Sequence, residues 1–495
     1  MEPYDYYYYI LLPIFFFLIR SLFHKPSGRK LPPGPRGFPI LGSLPHLGPN
    51  VHESLFHMAK RHGPLITLRL GAISTVVASS PEVAREIIGK NDYAFSERTV
   101  PDAIAAQPNP EFTLGWVSGD HAWRNRRRIC TTHLFSSHRL DALQHLRYEK
   151  VQQLLNHVNK YRNTGKAVDI GKVAFGMSLN LVSSTLFSAD IVDPEFESAQ
   201  EFKEVVSHIM EDGGKPNLSD YFPLLRWFDL QGIRRHIKSS YKRLHEILEE
   251  IIEKRLNDRA AGTSIIRNDD FLDVLLDQCQ EEGSGFDRQN IKALIVELFV
   301  AGSDTTAITI EWAMAELLRK PSVLQKARQE ILTVVGTERP VQESDIDTLP
   351  YLQAIIKETL RLHPAGPLML PYRAKTDTEV LGYTIPRGIQ VLVNAWAIAR
   401  DSNYWIEPME FRPERFTGST VDYKGLNFEY IPFGAGRRIC PGMPLAVRTV
   451  PLVVASLVQA FSWRLPEGTS PEELDMVEKF GVTLKKAIPL CAIPS

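Results

Sequence analysis

One cysteine stands among residue types that suit a metal-bound thiolate. Residues 433–442 have the sequence FGAGRRICPG, in which three glycines, two arginines and a proline surround Cys440. A thiolate is a strong, soft iron ligand that pushes electron density onto the metal and favours O–O cleavage. Glycine allows a close backbone approach, and arginines pair well with the carboxylates that a haem carries. These residue types suit an iron-bound thiolate beside an anionic cofactor such as haem, and the alternative is a buried structural cysteine in a glycine-rich turn.

A second candidate group lies in the middle of a long predicted helix. Asp287–Arg319 has a helical pattern that ends before Pro321, and at about 1.5 Å per residue it would cross a whole domain. Its centre, residues 301–306, is AGSDTT, where glycine and hydroxyl residues predict a local opening of the helix. An acid and a hydroxyl there, Asp304 and Thr305, suit proton delivery to oxygen. The alternative is a packed threonine pair beside a solvated aspartate.

Two more spacings put charged groups on one helical face. Trp123 and Arg127 lie one turn apart, so an indole N–H and a guanidinium could bind one carboxylate. Glu358 and Arg361 are three residues apart, which alone is a weak indication because such pairs are common.

The cysteine run carries a family resemblance. The spacing Phe-x-x-Gly-x-Arg-x-Cys-x-Gly is filled at every position of residues 433–442, and it resembles that of the cytochrome P-450 monooxygenases. The resemblance extends over about residues 31–495. It implies a mainly α fold with small peripheral β-sheets, in which a haem b lies between a long central helix and the loop of the iron ligand Cys440. It also implies that Asp304 and Thr305 are the catalytic relay, and that NADPH and flavins act only through a separate reductase.

The resemblance assigns further residues to the cofactor. Propionate or haem contacts are implied for Trp123, Arg127, Tyr372, Phe433 and Arg438. Tyr372 stands where relatives usually carry a charged arginine or histidine, so we expect weaker pairing there. Its neighbour Arg373 would point to the other face of a strand.

A structural cluster and a docking face are also implied. Glu358, Arg361 and Arg415 would form a buried cluster that holds the cysteine loop in place. The remaining basic residues near these motifs would face outward, where they are either solvated or dock an acidic electron donor; these are Arg124, Arg126, Arg128 and Arg437.

The elements around these motifs indicate three segments. Residues 6–23, YYYYILLPIFFFLIRSLF, are about as long as a membrane helix needs, with acidic residues before them and basic residues after. This asymmetry predicts a lumenal N-terminus and a cytosolic body, and the basic start of a cleaved signal peptide is missing. We predict a membrane anchor over residues 1–25, a basic and proline-rich hinge over 26–40, and one haem-thiolate domain over 41–495, at the endoplasmic reticulum membrane.

Composition is that of an ordinary globular protein. The net charge of −1 gives no indication of nucleic-acid binding, and four widely spaced cysteines favour a reducing compartment. We predict helices over 83–88, 142–161, 202–210 and 236–261. Strand patterns occur at 65–78 around a glycine and at 379–393, and the tail predicts a pair at 462–465 and 481–489.

Within the family, residues 392–398, 432–451 and 474–481 resemble the plant microsomal geraniol 8-hydroxylase group. This implies hydroxylation of a small lipophilic plant metabolite, a terpenoid first, with dioxygen and NADPH. The alternatives are an alkaloid or phenolic substrate, an oxygen-independent isomerase or dehydratase on the same fold, and a non-enzymatic haem-binding membrane protein. The predicted pocket residues are Phe112, Leu114, Trp116, Ile209, Met210, Phe299, Ala301, Ala365, Gly366, Leu368, Phe480 and Val482. The small pair at 365 and 366 predicts a roomy pocket.

Overall fold

The computed structural model describes Pro13 and residues 30–193, 199–261, 270–281 and 286–495. Apart from Pro13, the predicted anchor over residues 1–25 lies outside them. Within the described ranges the chain is mainly helical with small sheets, which confirms the predicted fold class.

The longer helices are α1 Val51–His62, α2 His121–His133, α3 Gln144–Asn159, α4 Ile170–Phe187, α5 Ala199–Gly214, α6 Ile233–Ala260, α7 Phe271–Gln280, α8 Arg288–Arg319, α9 Pro321–Val334, α10 Pro350–Leu362 and α11 Met443–Ala460. The strands are β1 Leu65–Leu70, β2 Ile73–Ala78, β3 Glu97–Arg98, β4 Val168–Asp169, β5 Tyr372–Arg373, β6 Thr378–Val380, β7 Tyr383–Ile385, β8 Gln390–Val393, β9 Trp463–Arg464, β10 Glu478–Lys479, β11 Lys485–Lys486 and β12 Cys491–Pro494.

The main sheet has the strand order β1-β2-β8-β5-β3, in which only the β2–β8 pair is parallel. The predicted hairpin around Gly71 is present, and this glycine has a φ of 59°. The predicted tail pairing of 462–465 with 481–489 is wrong. The partner of β9 is β12, whereas β10 and β11 form their own hairpin, because strand pairing is decided by neighbours in space that a local pattern does not contain.

The core is built around α8, which packs along α4. Gly302 on α8 permits this contact, since a Cβ there would come within 2.9 Å of Val182 Cγ2. The pattern of α4 gave no helical prediction because almost every one of its residues is buried, so it has no polar face.

Three described helices, α4, α8 and α11, are long and apolar enough to cross a membrane by length and composition. Buried residues make up 94%, 72% and 56% of their respective apolar windows. Packing inside the domain therefore accounts for their apolar composition.

Residues 30–37 of the proline-rich segment form neither helix nor strand, and they are hydrogen-bonded to the domain. The Thr67 N–H donates to the Pro33 carbonyl at 2.8 Å, and the Thr384 N–H donates to the Lys30 carbonyl at 2.9 Å. A Cβ on Gly34 would lie 1.9 Å from the Thr67 carbonyl oxygen, so this glycine is required for the close approach. The described end of the hinge is thus hydrogen-bonded to β1 of the main sheet and to β7 of the separate β6–β7 pair.

Candidate functional site

A cavity of about 410 Å³ lies between the middle of α8 and the loop that carries Cys440. Most of its lining is apolar. Eight of the predicted pocket residues line it, namely Leu114, Trp116, Ile209, Met210, Ala301, Ala365, Gly366 and Val482. The predicted cofactor contacts Trp123, Arg127, Tyr372, Phe433, Arg438 and Cys440 line it as well, as does Thr305.

The cysteine loop is a tight turn that glycines make possible. The Cys440 N–H donates to the Phe433 carbonyl at 2.9 Å, which closes the loop. Gly434 and Gly436 have φ values of 74° and 63°, in the region that disfavours residues with a Cβ. A Cβ on Gly436 would also lie 2.3 Å from the Ile88 carbonyl oxygen.

The thiol of Cys440 is directed into the cavity at the start of α11. Burial raises its pKa, and the backbone N–H groups of Gly442 and Met443 and the charge of Arg127 act in the opposite direction. These donors would stabilise a thiolate, which is the form that binds a metal.

Three guanidinium groups converge on the cavity from one side. Arg98 and Arg438 are buried and Arg127 is half-buried. Arg438 donates to the carbonyls of Ser96 (3.0 Å) and Val117 (2.6 Å). Burial and the neighbouring Arg98 lower the pKa of Arg438 to about 9.

No carboxylate of the described residues makes an ion pair with these three groups. Buried cations of this kind call for an anionic partner. A soft thiol and several guanidiniums without a carboxylate partner on one cavity therefore fit a haem, whose iron would bind Cys440 and whose carboxylates would face the arginines.

Arg98 was not predicted, and it lies against Tyr372. The two residues are directly opposite each other in the β3–β5 pair, and the Arg98 guanidinium carbon lies 4.2 Å from the centre of the Tyr372 ring. The positive charge that Tyr372 lacks is supplied by the neighbouring strand. Arg373 is exposed on the opposite face, as its position in the strand predicted.

The indole N–H of Trp123 is already used in a hydrogen bond within the protein. Its Nε1–H donates to the Leu114 carbonyl at 2.9 Å, and the Arg438 guanidinium carbon lies 4.2 Å from its ring centre. The Trp123 ring thus packs against the Arg438 guanidinium, and its N–H holds the segment between β3 and α2.

The two predicted relay residues lie on different sides of α8. The Thr305 hydroxyl is at the cavity wall and donates to the Ala301 carbonyl at 2.7 Å. Asp304 is buried, and it accepts a hydrogen bond of 2.7 Å from the Thr483 hydroxyl. Burial raises the pKa of Asp304. The predicted local opening is not observed, because α8 continues as a regular helix through residues 301–306.

Four of the predicted pocket residues do not line the cavity, namely Phe112, Phe299, Leu368 and Phe480. Phe299 precedes Ala301 by two positions, a rotation of about 200° around α8 that turns it into the core. Leu368 and Phe480 pack in a separate small core around β1, where the Phe480 ring stacks on His52 at 5.4 Å. Phe112 ends a short 3-10 helix before the chain turns inward at Leu114.

Glu297 is a cavity residue that sequence reasoning missed. Its two carboxylate oxygens accept the backbone N–H groups of Leu114 and Gly115, the latter at 2.8 Å. Burial raises the pKa of this acid. The sequence could have indicated that Glu297 faces the cavity, because it lies four residues before Ala301 and therefore on the same face of α8.

Glu358, Arg361 and Arg415 are brought together between α10 and the chain that precedes the cysteine loop. Glu358 accepts from Arg361 Nε at 2.7 Å and from Arg415 Nε at 2.9 Å. Arg361 also donates to the carbonyls of Ala399 and Pro408. The cluster therefore joins α10 to the chain that precedes residue 433.

One of the four basic residues expected to face outward does not. Arg124, Arg128 and Arg437 are exposed, whereas Arg126 is buried. Its position on α2, three residues after the buried Trp123, places it on the inner face of the helix.

Comparisons with known proteins agree with this geometry. The family model described as cytochrome P450 matches residues 32–491. The chain is 46% identical over 493 residues to geraniol 8-hydroxylase of Catharanthus roseus, with 99% of both chains covered. It is 44% identical to drimenol monooxygenase of Persicaria hydropiper, covering 95% of this chain and 93% of that protein. A solved zebra fish cytochrome P450 with progesterone superposes with a TM-score of 0.76 at 24% identity, over 90% of this chain and 99% of the other, and supports the fold alone.

Proposed function

We propose that this chain, which belongs to the cytochrome P450 family and is a monooxygenase, hydroxylates a small lipophilic terpenoid. The observation that carries the proposal is that the Cys440 thiol, guanidiniums without a carboxylate partner and apolar side chains all line one cavity. Relatives named for geraniol and drimenol support a terpenoid substrate. An alkaloid or phenolic substrate is the alternative within the same reaction class.

The residues around the cavity have three different roles, which are iron binding, charge balance and exclusion of water. A haem bound to Cys440 supplies the oxygen-activating chemistry. Arg98, Arg127 and Arg438 balance the charge of its carboxylates. The apolar walls exclude water and orient the substrate.

Asp304 and Thr305 would deliver protons. Burial raises the pKa of Asp304, so this side chain holds a proton more readily than an exposed aspartate does. The Thr305 hydroxyl lies at the cavity wall, where it can pass a proton inward by exchanging its bond to the Ala301 carbonyl for a new acceptor.

Electrons would come from NADPH through a reductase. The exposed Arg124 and Arg128 of α2 offer positive charges that suit an acidic partner, whereas the exposed Arg437 beside the cysteine loop is already paired with Asp92 at 3.0 Å. We place the protein at the endoplasmic reticulum membrane, held by the anchor predicted over residues 1–25. The exposed side chains of Leu224 (86%) and Trp227 (92%) support contact with a lipid bilayer.

The test has two stages. The reduced protein treated with carbon monoxide should give the absorption band of a thiolate-ligated haem, and Cys440→Ala should abolish it. The protein with reductase and NADPH is then offered a panel of terpenoid alcohols, with products identified by mass spectrometry. Product formed without NADPH would favour an isomerase or dehydratase, and absence of the band would refute the proposal.

A further inference from the structure

The loop between β10 and β11, residues 480–484, connects three walls of the cavity. The Val482 N–H donates to the Met210 carbonyl of α5 at 2.7 Å, and the Leu484 N–H donates to the Ala365 carbonyl at 2.9 Å. Val482, Met210 and Ala365 all line the cavity. A substrate that touches any of these residues therefore acts on this loop, which we call the C-terminal loop.

Close backbone contact fixes where the C-terminal loop lies. A Cβ on Gly214, at the end of α5, would come 2.2 Å from the carbonyl carbon of Gly481. A Cβ on Gly481 would lie 2.8 Å from the Met210 carbonyl oxygen. The two segments are thus in direct backbone contact, and a displacement of α5 must displace the loop.

The base of the loop is anchored separately. Glu478 accepts from Trp396 Nε1 at 3.1 Å and lies 2.9 Å from His52 Nε2. On the other side, Trp312 of α8 donates its Nε1–H to the Leu484 carbonyl at 3.0 Å. With both ends held, a movement at Val482 acts on α5 through Met210 and on the adjacent residues of the loop.

The immediate neighbour of Val482 is Thr483, the residue that binds the relay acid. The Thr483 hydroxyl donates to Asp304 Oδ2 at 2.7 Å, and both side chains are buried. This bond stabilises the anionic form of the carboxyl group, and it opposes the effect of burial on the pKa. It also fixes the position of the carboxyl group beside Thr483, which itself lines the cavity.

We propose that Thr483 is a positioning residue for Asp304, and that the C-terminal loop links substrate contact at Val482 to the placement of this acid. The inference rests on the proposed function. A substrate that presses on Val482 shifts Thr483 relative to α8, which alters the bond to Asp304 and so the readiness of the acid to serve the relay. Such a link requires only that the substrate bind one loop position better than the other.

Two substitutions separate the hydroxyl from the shape of the side chain. Thr483→Val keeps the volume and removes the donor, whereas Thr483→Ser keeps the donor. We expect Thr483→Val to lower the product formed per NADPH consumed about tenfold, which corresponds to about 1.4 kcal/mol, while the carbon monoxide band is retained. Thr483→Ser should stay within about twofold of the wild type, and Val477→Ala, at an exposed position before β10, should match the wild type.

The pH profile distinguishes positioning from a purely structural role. Without the donated hydrogen bond the Asp304 anion is less stable, so the limb of the pH profile that reports this acid should move to higher pH in Thr483→Val. A structural defect alone would lower the rate without moving the limb. Unchanged coupling and an unchanged limb in Thr483→Val would overturn the inference.

Hydrogen exchange in the wild-type protein provides a readout that needs no variant. With the terpenoid alcohol that yields most product in the panel, exchange of the peptide covering residues 478–486 should change relative to the substrate-free holoprotein. Identical exchange would overturn the inference even if Thr483→Val failed to fold. A wild type without the carbon monoxide band or NADPH-dependent product would instead refute the proposed function itself.

Discussion

Replacing Glu358 by glutamine should destabilise the protein more than any ordinary surface change. Glu358 and Arg361 are both fully buried, at 0% side-chain exposure. Glu358 accepts four hydrogen bonds, two from Arg361, one from Arg415 and one from the Arg412 backbone N–H. Glutamine keeps the shape but removes the negative charge, which leaves the Arg361 guanidinium without a counter-ion.

The expected loss follows from this burial. Removing one partner of a buried ion pair costs about 3–5 kcal/mol, because the remaining charge stays desolvated. Folded proteins are stable by only about 5–15 kcal/mol in total. The free energy of unfolding, from urea titration followed by circular dichroism, should fall by that amount, and little haem-loaded protein should accumulate.

A control comes from an exposed ion pair on a helix. Lys242 Nζ lies 3.7 Å from Glu246 Oε1 on α6, and the two side chains are 77% and 50% exposed. Glu246→Gln should cost less than about 1 kcal/mol, because water compensates both charges. A loss below 1 kcal/mol in Glu358→Gln, or an equal loss in both variants, would show that the buried charge does not support the cysteine loop.

Three further predictions concern the haem site and the relay. Arg98→Leu should speed the loss of haem to apomyoglobin about 10- to 100-fold, the range of one charged hydrogen bond, whereas Arg128→Leu on the exposed face should leave it unchanged. Gly436→Ala should lower the haem yield for two reasons: a left-handed backbone costs about 1–2 kcal/mol for a residue with a Cβ, and this Cβ would clash with the Ile88 carbonyl. The control is Gly418→Ala, where φ is 71° and the surrounding space is open. This variant has the backbone strain without the clash and should lower the haem yield less. Burial raises the pKa of Asp304, so its ionisation reduces stability as pH rises above the unfolded value of about 4. Asp304→Asn should therefore unfold at a higher urea concentration than the wild type at pH 7, with a difference that shrinks toward pH 4.

The sequence was most informative where function depends on local spacing. The Cys440 loop is closed by bonds within residues 433–442, and Glu358 and Arg361 meet because they are one helical turn apart. Such contacts are contained in a short stretch of chain, so their pattern predicts them. The fold class followed from the same stretch through family resemblance.

Contacts between distant segments could not be predicted in the same way. Arg98 reaches the cavity only because β3 pairs with β5, more than 270 residues later. Phe299 and Leu298 differ by about 100° of helix rotation, and the sequence of α8 does not say which face meets the cavity. The tail strands were paired wrongly because the partner of β9, the strand β12, lies at the very end of the chain.

The difference between local and long-range contacts explains why the sequence predicts the reaction class better than it predicts the substrate. The cysteine and its flanking glycines belong to one continuous stretch of chain, residues 433–442, whereas the predicted pocket residues that line the cavity come from α5, α8, the segment before α2, the segment around Ala365 and the C-terminal loop. The relative positions of these walls depend on bonds such as Glu297 to Leu114 and Val482 to Met210. A substitution that leaves every lining residue intact but breaks one of these bonds would therefore change the shape of the cavity. Substrate preference in this protein is thus a property of how the walls are joined as well as of which side chains face inward.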